Sequence, residues 1–153
     1  MRKSRPYLDT GFIVEELPLP MFREHPVTGL ETPVWTLRKV AQVIKADRML
    51  LTDLFNRRVI PEPLYGFYGK PASPLFSAHQ MALIRGLKAA LDKRLMFMDG
   101  LSAGGLSRSV QAMQREWDNE KERRCSTARI LSRWEYELLE RRSRDQHRRD
   151  ERG

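Results

Sequence analysis

The sequence predicts a mainly α fold, built from two short helices, a small β-hairpin and a long C-terminal helix. Three observations support this prediction. Apolar residues recur at helical spacing in 37–55, aromatic residues cluster with glycine in 61–74, and residues 107–145 contain neither proline nor glycine. A chain of 153 residues is long enough for one small domain with extensions at its ends.

Apolar periodicity predicts the first helix. One apolar stripe, with spacing i, i+3, i+4 and i+7, is formed by Leu37, Val40, Ala41 and Ile44. The hydroxyl of Thr36 can accept a hydrogen bond from a free N–H of the first turn. We therefore expect a helix that begins after Thr36 and buries a single face.

A second helix is expected after Asp47, whose carboxylate can cap it. Its apolar residues fall on the side that faces the core, and they are Leu50, Leu51, Leu54 and Phe55. The opposite side is mostly polar and faces outward. It carries Arg48, Met49, Thr52, Asp53 and Asn56.

The connections on either side of the second helix are short. Residues 45–47 are too few to place the two helices antiparallel, so the pair should cross steeply, as helix-turn-helix units do. The second helix should end at Val59–Ile60–Pro61, because proline lacks an N–H and disfavours helical angles in the preceding residue. The aromatic and glycine residues of 61–74 then predict a short β-hairpin.

Residues 35–91 resemble the N-terminal head of MerR-like and excisionase-like winged helix-turn-helix proteins. The shared elements are an aromatic-Thr-apolar start, a Val-Ala pair, an apolar-apolar-Pro end to the second helix and an apolar-aromatic-Ser step after the hairpin. In this chain these four elements are Trp35–Thr36–Leu37, Val40–Ala41, Val59–Ile60–Pro61 and Leu75–Phe76–Ser77, and Ala46–Asp47 and Leu51 also match the pattern. Two positions depart from the pattern, since Arg58 stands where glycine is usual and Pro74 where a basic residue is usual.

The resemblance implies a DNA-binding head with the hairpin as its wing and the second helix in the major groove. Arg pairs with guanine and Asn with adenine through two hydrogen bonds each, and Thr can add a methyl or hydroxyl contact. The expected base-reading residues are therefore Arg48, Thr52 and Asn56. The expected phosphate-binding residues are Lys39, Lys45, Arg57, Arg58 and Lys70.

The charge distribution agrees with a polyanionic partner. The formal net charge is +8, and residues 36–94 contain 11 Lys and Arg against 4 Asp and Glu. Double-stranded DNA is the expected partner. A solvated basic surface without a nucleic-acid partner is the alternative, because charge alone predicts only nonspecific attraction.

Composition divides the chain into four expected parts. Residues 1–34 form a proline-rich extended arm, 35–98 the DNA-binding domain, 99–106 a glycine-rich linker and 107–153 a helical oligomerisation segment with an arginine-rich tail. The arm could grip a protein partner or lie along DNA. Alternatively, its apolar part, 17–22, could pack on the head.

Apolar residues near heptad spacing predict an oligomerisation seam in the C-terminal helix. They are Val110, Met113, Trp117, Leu131, Trp134 and Leu138. Lys121 and Arg124 interrupt this seam, which favours an imperfect antiparallel pairing or a break near Cys125 over a uniform coiled coil. The MerR-like resemblance implies a twofold homodimer that reads two half-sites. A monomer whose helix folds back on its own head is the alternative.

The sequence indicates neither catalysis nor a cofactor. His25, His79 and His147 lie far apart, and none is at ligand spacing from Cys125, so we expect no metal site. Carboxylates near residues 135–140 alternate with arginine at helical spacing, which is typical of surface ion pairs. We therefore expect a protein that is not an enzyme. One cysteine and no apolar run long enough to span a bilayer indicate a cytoplasmic protein without a membrane partner.

The leading hypothesis is a sequence-specific double-stranded DNA-binding protein of MerR-like type, acting as a dimeric transcriptional regulator. A phage-type small terminase subunit or an excisionase is one alternative, because those proteins join a similar head to an oligomerising helix. The other is a non-enzymatic adaptor that holds a polymerase subunit or a virion component on the same scaffold, since a fold does not fix a function.

Overall fold

The computed structural model describes residues 11–96, 103–122 and 131–152, which form a sheet with helices packed against it. A short 3-10 turn at Val14–Glu16 comes first. The elements that follow are β1 (Met21–Glu24), β2 (Glu31–Thr36), α1 (Leu37–Ile44), α2 (Arg48–Asn56), β3 (Phe67–Tyr68), β4 (Ser73–Ser77), α3 (Ala78–Met96), α4 (Ala103–Lys121) and α5 (Arg133–Arg152). None of the helices in these ranges is both long and apolar enough to cross a membrane.

All four of these strands belong to one antiparallel sheet, in the order β1-β2-β4-β3. The prediction of a mainly α fold with a small hairpin wing is therefore wrong, because the protein has a mixed α and β fold. β3 and β4 do form a hairpin around the expected loop. However, β4 also pairs with β2, so the hairpin is part of the sheet rather than a separate wing.

The two central strands are covered on both faces. Trp35 of β2 and Phe76 of β4 are directly paired and belong to the main core. Their neighbours Val34 and Leu75 form a second, smaller apolar cluster with Tyr65. Strands buried on both faces lack the apolar-polar alternation that identifies a half-buried strand. This is why the sequence did not predict β2 as a strand, or β4 beyond the hairpin expected over 61–74.

Side-chain caps begin three of the helices. Thr36 and Asp47 each accept a hydrogen bond from a backbone N–H of the first turn, at 3.4 and 2.9 Å. Ser77 and Gln80 cap α3 reciprocally, because each side chain accepts from the backbone N–H of the other, at 3.2 and 3.0 Å. These bonds satisfy N–H groups that a helix leaves unpaired at its start. The expected starts of α1 and α2 are confirmed.

The C-terminal half is not one long helix, so the prediction of a long C-terminal helix is wrong, whereas the alternative of a break near Cys125 agrees with two separate helices on either side of it. α4 begins at Ala103, within the expected linker, and ends at Lys121, one of the charges expected to interrupt the seam. α5 begins at Arg133, after the non-helical Leu131 and Ser132. Residues 97–102 and 123–130 lie outside the described part of the chain, and these include Arg124 and Cys125.

Both C-terminal helices fold back onto the sheet. The rings of Trp117 (α4) and Phe76 have centroids 5.8 Å apart, and those of Tyr136 (α5) and Trp35 lie 5.9 Å apart. Burial, with a smaller contribution from the nearby Glu140 carboxylate, raises the pKa of Tyr136 to about 12. The apolar faces of α4 and α5 therefore complete the core of the same chain.

The described part of the expected N-terminal arm is integrated into the domain. β2 crosses the expected boundary at residue 34, and Phe12 and Val14 are buried in the main core. The indole N–H of Trp35 donates to the carbonyl of Pro18 at 2.8 Å. Residues 1–10 lie outside the described part of the chain. From residue 11 onward, no structural boundary separates an arm from the domain.

A buried carboxylate joins α4 to the sheet. Glu120 is 0% exposed, and its carboxylate accepts from the hydroxyl of Tyr65 at 2.8 Å and from that of Ser77 at 2.9 Å. Burying an ionised carboxylate is costly unless hydrogen bonds replace its hydration. The two hydroxyl groups supply such bonds from distant parts of the sequence.

His25 extends this network through the backbone of Glu120. Its Nε2 lies 2.7 Å from the Glu120 carbonyl, while its Nδ1 faces the backbone N–H groups of Val27 and Thr28 at 3.1 and 3.2 Å. Because Nδ1 has two donors pointing at it, it must be the acceptor, and the ring proton belongs on Nε2. His25 thus fastens the β1–β2 turn to the end of α4.

We expect Tyr65→Phe to destabilise the fold, because it removes one of the donors to the buried Glu120 carboxylate. The free energy of unfolding should fall by about 1–3 kcal/mol, as measured by urea denaturation. Tyr68→Phe is the matched control, since Tyr68 is 54% exposed on the neighbouring hairpin. Equal stability of the two variants would mean that the Tyr65 hydroxyl does not stabilise the fold.

His79 should make stability depend on pH. Burial lowers the pKa of this residue below its ordinary value of 6.5, and the Glu116 carboxylate at 3.6 Å only partly opposes that effect. As pH falls below about 6.5, the unfolded chain takes up this proton before the folded chain does, so the folded state loses stability.

In urea titrations between pH 7.5 and 5, wild type should become less stable as pH falls. His79→Gln should lose part of this pH dependence. An identical slope in both proteins would contradict the role of His79.

Candidate nucleic-acid interface

α2 turns one face to solvent. Leu51 and Leu54 are buried in the main core, and their packing determines which side of the helix points outward. The outward side carries Arg48, Met49, Thr52, Asp53 and Asn56, of which Thr52 is half-buried and the others are exposed. The hydroxyl of Thr52 donates to the backbone carbonyl of Arg48 at 2.9 Å. The expected base-reading residues therefore share one face. The hydroxyl proton of Thr52 is used within the helix, whereas its oxygen can still accept a hydrogen bond.

Arg48 and Asn56 lie at opposite ends of this face. Eight residues of α-helix rise about 12 Å. Base pairs are stacked about 3.4 Å apart, so the two side chains are spaced to reach bases about three to four pairs apart. The major groove of B-DNA is about 12 Å wide and admits a helix.

Two residues beside α2 have left-handed backbone angles, Lys45 at φ 56° and Arg58 at φ 61°. Such angles cost an L-residue other than glycine about 1–2 kcal/mol. Glycine adopts positive φ without this cost, so Arg58 occupies a backbone position that would suit glycine. Both side chains are exposed, so the strained positions still present cations to solvent.

The expected phosphate-binding residues differ in what they contact. The ammonium group of Lys39 donates to the carbonyl of Leu19 at 3.0 Å and holds the segment before β1. Arg57 pairs with Asp53 at 3.0 Å. This pair is exposed, and exposed pairs contribute only about 0–1 kcal/mol, so Arg57 can change partners at little cost. Lys45, Arg58 and Lys70 are exposed.

The hairpin lies beside the C-terminal end of α2. The rings of Phe55 (α2) and Phe67 (β3) meet edge to face with centroids 6.3 Å apart. Phe67 is 50% exposed, and Lys70 lies in the exposed turn between β3 and β4. The ring contact therefore holds a basic turn next to the outward face of α2.

An open cleft of about 840 Å³ lies between α2, the hairpin and α4. Its apolar wall is formed by Phe55, Ile60, Pro61, Pro63, Leu64, Phe67 and Trp117. The rim carries two cations and two carboxylates, namely Arg58, Lys121, Glu62 and Asp118. Asn56 also lines the cleft, so this expected base reader stands between the cleft and the outward face of α2.

The expected oligomerisation residues are mostly inside the chain's own core. Met113, Trp117 and Leu131 are buried there, which removes them from any seam between two copies of this fold. Val110 is partly buried and packs against the same core. Leu138 is also partly buried. Trp134 is 72% exposed on α5. The heptad-like spacing correctly identified an apolar stripe. Met113, Trp117 and Leu131, however, pack in the core of their own chain and not against a second subunit.

Sequence reasoning missed the buried polar residues that position the site. Glu120 lies 55 residues from Tyr65 and 95 residues from His25 along the chain, so no local pattern connects them. Ser77, by contrast, belongs to the apolar-aromatic-Ser step that the sequence singled out, and its Ser-x-x-Gln spacing to Gln80 is that of a capping box. Within the described residues, no group of three His, Cys, Asp or Glu side chains is placed to hold a metal ion.

Comparisons with known proteins found no relative of this chain. No protein-family model matches the sequence, and no curated protein or solved structure is significantly similar to the chain. A functional assignment therefore has to be argued from the residues of this chain and their geometry.

Because Arg58 has a positive φ, different substitutions at this position should differ in their effect on stability. Glycine adopts positive φ freely, whereas a β-branched residue is strained there. We expect Arg58→Gly to fold as stably as wild type within about 1 kcal/mol, and Arg58→Val to be less stable than Arg58→Gly by about 1–2 kcal/mol. Thermal unfolding of both variants measures this difference, and a Val variant as stable as the Gly variant would exclude strain at this position.

Proposed function

We propose that this protein binds double-stranded DNA in a sequence-specific manner, with α2 in the major groove and the β3–β4 turn against the backbone. The observation that carries the proposal is the outward face of α2, where Arg48 and Asn56 project from a helix fixed by the core. Neither side chain is needed to bury apolar surface. Their donor and acceptor groups match guanine and adenine edges.

The surrounding charge supports the same proposal. Residues 36–94 carry 11 Lys and Arg against 4 Asp and Glu. Lys45, Arg58 and Lys70 are exposed in the turns around α2. Contacts from such residues to phosphate position a protein on DNA, whereas base contacts determine its sequence preference.

The proposed role is that of a cytoplasmic, MerR-like transcriptional regulator. Such a regulator would read two half-sites as a dimer. Because Met113, Trp117 and Leu131 are buried in the chain's own core, the dimer contact would use other residues, of which the exposed Trp134 of α5 is one candidate. A small terminase subunit or an excisionase would bind DNA through the same face. A ring-like oligomer in solution would favour the terminase, and a dimer would favour the regulator.

The cleft beside the hairpin favours a second candidate function, that of a protein-interaction adaptor. Its apolar wall and mixed-charge rim could receive a segment of another protein. A titration against random duplex DNA over a salt series separates the two functions. A binding constant that falls steeply with salt supports DNA binding, whereas the absence of binding at low salt supports the adaptor.

Arg48→Ala and Lys70→Ala should have different effects on DNA binding. After selection of a bound sequence from a random duplex pool, Arg48→Ala should cost about 1–3 kcal/mol and relax the preference at one base pair. Lys70→Ala should weaken binding to all sequences alike and reduce the slope of log K against log salt by about one. Fluorescence anisotropy on selected and scrambled duplexes measures both effects. Equal loss on every sequence for Arg48→Ala would remove it from the base-reading set.

A further inference from the structure

Folding does not account for the exposure of Met49. The other large apolar residues of α2 all contact the main core, with Leu51 and Leu54 buried and Leu50 and Phe55 partly buried. Met49 is 74% exposed on the same helix. Met49 is therefore the large apolar side chain of α2 that is most available to an outside contact.

Met49 begins the stripe that faces outward. Relative to Met49, Thr52 and Asn56 stand at i+3 and i+7, so the three residues lie above one another on one side of α2. The Thr52 hydroxyl is bonded to the Arg48 carbonyl at 2.9 Å. This bond uses the hydroxyl proton of Thr52, whereas its oxygen can still accept a hydrogen bond and its methyl adds an apolar group on the same side as Met49. Two apolar groups thus stand side by side between Arg48 and Asn56.

The major groove of DNA offers one apolar feature to such a surface. Donors and acceptors occupy the groove edges of all four base pairs, and thymine alone adds a C5 methyl group. A flexible thioether can pack against that methyl with little steric demand. The surrounding cations favour a polyanion over an apolar protein surface as the partner of this face.

We propose that Met49, together with the methyl of Thr52, contacts the C5 methyl of a thymine and so determines sequence specificity at that position. The proposal rests on the DNA-binding function proposed above. It adds that the bound sequence contains a thymine between the base pairs that Arg48 and Asn56 read. One helix would then recognise bases in two ways. Arg48 and Asn56 would form hydrogen bonds with base edges, and Met49 and the Thr52 methyl would make apolar contacts between them.

Replacing thymine by deoxyuridine tests this directly, because the change removes the methyl and leaves the pairing edge intact. Each thymine of the selected duplex is replaced in turn, and the Kd is measured for wild type, Met49→Ala and Val27→Ala. Val27 is the matched control, as an apolar side chain of similar exposure (66%) in the β1–β2 turn, outside the proposed DNA and dimer contacts. All three proteins are first compared by thermal unfolding to establish that they are folded.

For wild type, deoxyuridine at one position of each half-site should weaken binding about three- to fourfold, the contribution of one buried methyl group. Met49→Ala should bind the thymine duplex more weakly and should respond less than twofold to the same replacement. Val27→Ala should keep the wild-type response.

If wild type binds the duplex but tolerates every deoxyuridine, or if Met49→Ala responds as wild type does, the thymine contact is overturned and DNA binding stands. Absence of salt-sensitive binding to any duplex overturns both proposals.

Discussion

The fold depends on the burial of the Glu120 carboxylate. Its acceptor oxygens bring together the hydroxyl of Tyr65, before the hairpin, and that of Ser77, at the junction of β4 and α3. The backbone of Glu120 also receives the ring of His25, from the β1–β2 turn. A carboxylate without hydration is strongly destabilising unless its donors are in place. α4 can therefore dock in one register only, and that register fixes the edge of the sheet beside which α2 and the hairpin lie.

This dependence makes the C-terminal half part of the site's support. Trp117 contacts Phe76 of the central strand and donates its indole N–H to the carbonyl of Glu62 at 2.9 Å. That bond holds the segment between α2 and the hairpin. Tyr136 of α5 packs on Trp35 of the neighbouring strand. α4 and α5 were expected to join two subunits. Instead, they pack on the two central strands of their own chain.

What the sequence could predict was local. The stripes of α1 and α2, with their caps at Thr36 and Asp47, follow from spacing and from hydrogen-bonding chemistry within four residues, and the outward face of α2 follows from the same spacing. The sheet was missed because β2 and β4 are buried on both faces and so carry no alternation. Partner choice was missed for a related reason: an apolar stripe such as Met113 and Trp117 shows that a face is buried but not against what. The role of Glu120 could not be predicted, because the groups that donate hydrogen bonds to its carboxylate lie far away in the sequence.

The pairing of β2 with β4 has a consequence for how the outward face can change. Thr36 pairs with Leu75, so the chain from α1 to the hairpin is a loop closed at both ends by the sheet. Folding already orders this loop, so binding a partner does not have to restrict it further. The conformational entropy lost on binding is therefore smaller. Within it, the outward side chains of α2 contribute little to the core. Evolution can therefore exchange the residues that recognise a partner while the closed frame stays as it is, so recognition and stability are under separate selection.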